Sequence, residues 1–89
     1  MEKNTNEHVA KVPESEAAEV RNKLRRKVPT VPLSVYGFVD KKNRRLVHVA
    51  ADHPTDSDRH TDLHYLADSG VDKIVTDAKK KITERFALK

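Results

Sequence analysis

The chain has 89 residues, with 18 Lys and Arg against 14 Asp and Glu, two glycines and no cysteine, for a net charge of +4. That length holds one small domain, and the missing cysteines exclude disulfides, thiol nucleophiles and thiolate-bound metals. No run approaches the roughly 20 apolar residues of a membrane span, and no apolar segment follows the first charges as a signal peptide requires, so the expectation is a soluble, cytoplasmic protein with no membrane partner.

In chain order, residues 1–11 are polar, mixed in charge and without period, which predicts a disordered lead-in to a single domain over 12–89. A helix is expected from Pro13 and Ser15, with Glu14, Glu16 and Glu19 at the positive end of its dipole and Lys23, Arg25, Arg26 and Lys27 at the negative end. Ala17, Val20, Leu24 and Val28 recur every three or four residues and form one apolar stripe. Pro29 and Pro32 stop the helix.

From Thr30 the period falls to two. Val31, Leu33, Val35 and Val39 share one face, and Ser34, Tyr36 and Phe38 share the other; after a polar break RRLVHVAA reads as a second strand. The break Asp40-Lys41-Lys42-Asn43-Arg44 suits a three-residue hairpin loop with Asn43 left-handed. Pairing Asp40 with Arg44 sets Phe38 opposite Leu46, Tyr36 opposite His48, Val35 opposite Val49 and Leu33 opposite Ala51. Gly37 marks either a bulge or a close backbone approach.

Residues 52–61, DHPTDSDRHT, read as turn chemistry. Leu63, Leu66 and Ala67 suggest a short helical turn closed by Gly70, and Ser69 with Asp72 resembles a capping box for a second helix. Val71, Ile74, Val75, Ala78, Ile82 and Phe86 share a face of that helix. The expected fold class is α+β, a helix–β-hairpin–helix (αββα). Its small core favours completion by homodimerisation. With both helices on the inner face, Tyr36, Phe38, Leu46 and His48 lie uncovered as a partner interface, unless the carboxyl-terminal segment wraps over them.

Charge is segregated along the chain. Residues 20–51 hold nine basic residues against Asp40 alone, a net of +8, whereas 52–77 hold two against seven acidic, a net of −5. Residues 78–89 return to five against one, a net of +4. The basic block supplies the candidate nucleic-acid-binding residues, Arg21, Lys23, Arg25, Arg26 and Lys27 on the helix and Lys41, Lys42, Arg44 and Arg45 at the hairpin tip, which could hold DNA or RNA phosphates. The same residues also suit a helix carboxyl end and an exposed turn. No RNP signature, GXXG loop or zinc finger accompanies them.

The cluster His48, Asp52, His53, Asp56, Asp58, His60, Asp62 and His64 contains metal-ligand types, but HExxH and the calcium-loop pattern are both absent, so no metal and no cofactor are expected. No GxSxG elbow supports a serine nucleophile, and Gly37 and Gly70 alone cannot build a phosphate loop. The expectation is a small non-enzymatic binding protein, a nucleic-acid-associated accessory or regulatory factor. The alternative is a protein–protein interaction module, an inhibitor or subunit, using the outer hairpin face or the acidic 52–77 segment.

Overall fold

The computed structural model describes residues 2–88, with side chains from Ser15 onward. It is α+β: two helices on one side of a three-stranded antiparallel sheet, in the order α1 (Glu2–Lys27), β1 (Leu33–Val39), β2 (Arg45–Asp52), β3 (His60–Leu66), a 3₁₀ turn (Ala67–Ser69) and α2 (Val71–Phe86). The helix of α1 includes residues 2–11, for which the sequence suggested a lead-in. The apolar stripe is as read: Ala17, Val20, Leu24 and Val28 are all buried.

The β1–β2 register agrees with the expected one at every pair, Leu33 with Ala51, Val35 with Val49, Tyr36 with His48 and Phe38 with Leu46, and it runs through Gly37 without a bulge. The tip closes through Asp40 N–H to the Arg44 carbonyl at 3.1 Å, with Asn43 left-handed at φ 67°. The Asp40 carboxylate accepts from the backbone N–H groups of Lys42 and Arg44, both at 2.9 Å, and the Arg44 backbone bond first of all holds it below the usual carboxylate range.

The correction to the expected order is β3. Residues 60–66 alternate, with Thr61, Leu63 and Tyr65 turned to the core and His60, Asp62, His64 and Leu66 turned outward, and they pair with β2 from Asp52–His60 to Leu46–Leu66. The three-residue spacing of Leu63, Leu66 and Ala67 imitates a helical turn, but a strand satisfies a whole further row of β2 backbone groups. The capping box is also not formed. Gly70, at φ 97°, precedes α2 with no side-chain cap, while the expected face of α2 buries Ile74, Val75, Ala78, Ile82 and Phe86.

The core lies between the inner sheet face and both helices. Leu24, Ile74, Ile82, Val20, Val47 and Val49 are its largest fully buried side chains. Each is worth about 1.5–3 kcal/mol relative to exposure. At the far end of α2, the β2–β3 loop folds back over Phe86: the His53 ring meets it edge-on at 5.3 Å, Arg59 lies over it at 5.7 Å and also donates to the Arg85 carbonyl. Arg85 in turn donates to Thr61 Oγ1 at 2.5 Å. Beside it, Tyr65 donates to Asp77 at 2.6 Å; burial, reinforced by that bond, raises the phenol's pKa, and the same bond lowers that of Asp77.

Candidate functional site

The nine basic residues expected to act together occupy two ends of the domain. Because β1 runs back along α1, the carboxyl end of α1 adjoins the start of β1, while the hairpin tip lies beside Glu16, whose carboxylate is 3.8 Å from Arg45. Eleven residues of helix separate Glu16 from Lys27, about 16 Å of rise. At the tip, Arg45 is also paired with Asp68, and Arg44 bonds Asp40 at 2.8 Å. Lys41 and Lys42 are exposed and make no ion pair among the described residues.

The helix end gains different company. Lys23 pairs with Asp72 at 3.0 Å near the start of α2, and Lys27 lies opposite Thr76, Lys79 and Lys80, so α1 and α2 run side by side in the same direction. Between them runs one groove. Its upper part is lined by Lys23, Arg26, Asp72 and Val75, its lower part by Val28, Lys79, Lys80, Thr83 and Leu88, and Lys27 and Thr76 border both. Arg26, Lys27, Lys79 and Lys80 are exposed and make no ion pair among the described residues, whereas Lys81 is held by Asp77 at 3.1 Å. Arg21 and Arg25 are exposed on the same helix end. Lys79 and Lys80 were legible as charge but not as neighbours of Lys27, since only helix packing joins them.

The acidic segment is dispersed: Asp68 and Asp72 each neutralise a cation of the basic block, and Asp77 engages Tyr65 and Lys81. Asp56 and Asp58 lie in the β2–β3 loop, and Asp52 and Asp62 sit with histidines on the outer sheet face. His48 donates from Nε2 to Asp62 at 2.8 Å, which leaves its Nδ1 to accept from the Tyr36 hydroxyl. His60 meets a carboxylate at each ring nitrogen, Asp52 at 2.6 Å and Asp62 at 3.0 Å, a setting that favours its charged form. These bonds, Asp52 first, raise the His60 pKa; the His48 bond and then the His60 bond lower that of Asp62. His64 stacks on His48 at 4.3 Å and meets Phe38 edge-on at 6.2 Å.

Of the histidines in the cluster read from the sequence, His60 meets carboxylates, His64 lies in the stack, and His53 accepts at Nδ1 from the backbone N–H groups of Thr55 and Asp56 at 3.2 and 3.1 Å. Among the described residues no group of three histidine or acidic side chains is placed to hold an ion. The expected interface residues Tyr36, Phe38, Leu46 and His48 do share the outer face, with Tyr36 46% and the unforeseen Leu66 47% exposed. α2 packs beside α1, so it does not cover that face. Among the described residues no helix is long and apolar enough to cross a membrane. Comparison with protein-family models, with curated proteins and with solved structures finds no match.

Proposed function

We propose that the protein is a small non-enzymatic nucleic-acid-binding factor that holds phosphates along the groove between α1 and α2. One observation carries this reading: two basic segments far apart in sequence supply Arg26, Lys27, Lys79 and Lys80 to the same groove, all four exposed and without ion pairs among the described residues. Arg26 and Lys27 by themselves suit the carboxyl end of any helix. Lys79 and Lys80 lie well before the last turn of α2, where the dipole offers them little, so their placement supports a site for anions rather than a service to the helix.

Asp72 lines the upper part of the groove and Glu84 the lower, which suits a ligand that crosses the paired helices between them, over a strip centred on Lys27, Lys79 and Lys80. Contacts of this kind read the backbone, not the base sequence. The expected binding therefore has a steep salt dependence and weak sequence preference, with a log–log slope near −3.5 if four phosphates are engaged on a duplex.

The test is titration of labelled duplex DNA, duplex RNA and a single strand at several salt concentrations. Lys79→Ala with Lys80→Ala is expected to flatten the slope by about two units, and Lys41→Ala with Lys42→Ala to leave it unchanged. Absence of binding to all three probes at low salt overturns the reading. A protein-interaction surface is the second reading, favoured by the bare aromatic outer face of the sheet.

A further inference from the structure

The outer sheet face is ordered in layers along the strands. Nearest the hairpin tip lies a bulky apolar row, Phe38, Leu46 and Leu66; next comes Tyr36, His48 and His64; then a row of smaller side chains, Ser34, Ala50 and Asp62; and last Asp52 with His60. Lys41 and Lys42 stand at the tip, beyond the bulky row.

We infer that this face docks against a second copy of the chain, with the strands reversed about a two-fold axis that lies in the interface and crosses them at the Tyr36–His48–His64 row. Size complementarity selects that arrangement: reversal lays Phe38, Leu46 and Leu66 over the partner's small row, while the middle row meets itself, as an isologous contact requires. Charge selects it as well. Reversal brings the cationic tip of each copy over the row of Asp52 and His60 of the other, whereas parallel stacking would oppose Lys41 and Lys42 to themselves.

Area is the third argument. Three strands about 24 Å long and spaced about 4.8 Å apart present on the order of 340 Å² in plan, and more once side-chain relief is counted. Two such faces together bury on the order of 1,000 Å², the lower end of what a specific pair requires, with sheets about 10 Å apart. A weak, reversible dimer is the consequence. Nucleic acid fits this face poorly, because Asp52 and Asp62 would meet its phosphates.

Sedimentation from roughly 5 to 500 µM tests the inference, with an expected dissociation constant of about 10–100 µM. Phe38→Glu and Leu66→Glu are each expected to weaken association at least tenfold while leaving circular dichroism and the melting curve unchanged, since neither side chain belongs to the buried core. Lys42→Glu and Asp52→Lys are each expected to weaken it several-fold and, combined in one chain, to restore it. A monomer at the highest concentration, a dimer indifferent to both glutamates, or failure of the combined charge exchange to restore association overturns the inference. The Lys79→Ala, Lys80→Ala chain is expected to dimerise normally, so this result and the nucleic-acid result are read separately.

Discussion

The two faces of one sheet have opposite fates. On the inner face, Val47, Val49, Ala51 and Leu63 are sealed beneath two helices; on the outer, the same strands hold Tyr36 and Leu66 nearly half exposed among histidines and carboxylates. Period-two alternation alone makes the division. Stability is therefore concentrated on one side, and the other is available for association at little cost to the fold.

The sharpest way to break this contrast is to cut into each side equally. Leu24→Ala, at a fully buried position, is expected to cost about 3 kcal/mol in urea unfolding, whereas Leu66→Ala on the outer face should cost under about 0.5 kcal/mol. Equal losses would mean that the outer face is structural. Next in size, Lys79→Ala with Lys80→Ala should lower duplex affinity about tenfold or more near 0.1 M salt, and Leu66→Ala should leave it unchanged. A matching loss from both would place nucleic acid on the sheet instead of the helices.

A smaller effect concerns the end of α2. Ala87 adopts φ 54° so that Leu88 N–H can reach the Thr83 carbonyl at 2.9 Å, setting Leu88 into the groove. Ala87→Gly removes the left-handed penalty and should raise stability by about 0.5–1 kcal/mol in the same unfolding assay. The subtlest test is pH. The raised pKa of His60 gives stability that is present below its ordinary 6.5 and lost as pH rises through the folded value; the lowered pKa of Asp62 gives stability present above 3.8 and lost as pH falls through its folded value. Asp62→Asn should therefore reduce the melting temperature most between about pH 4 and 6.5, less as pH rises through the folded value of His60, and converge with the parent as pH falls through the folded value of Asp62.

Much of the fold was legible because its signals are local. Alternation and the Asn43 turn set the hairpin register pair by pair, and the three-to-four spacing located the buried faces of both helices. β3 was hidden because Thr61, Asp62 and the preceding turn residues mask an alternation whose only strong apolar inward residues are Leu63 and Tyr65. The candidate site was half legible for a different reason. Counting charge along the chain placed Lys42 with Lys27, but α1 and β1 run in opposite directions and carry them apart. What joins Lys27 to Lys80 is the packing of α1 against α2, a long-range fact with no trace in nearby residues.

The fold of the β2–β3 loop over Phe86 has a dynamic consequence. Surface loops ordinarily open on their own, but here His53 and Arg59 rest on a ring that is 3% exposed, and Arg59 is tied to the backbone of the last turn of α2. Loop and helix end are thereby one cooperative unit for amide exchange, and neither can fray without releasing the other. Phe86→Ala should speed exchange of the His53, Arg59 and Arg85 amide protons and give the loop and the helix end separate rates, turning one slow opening event into two quick, independent ones.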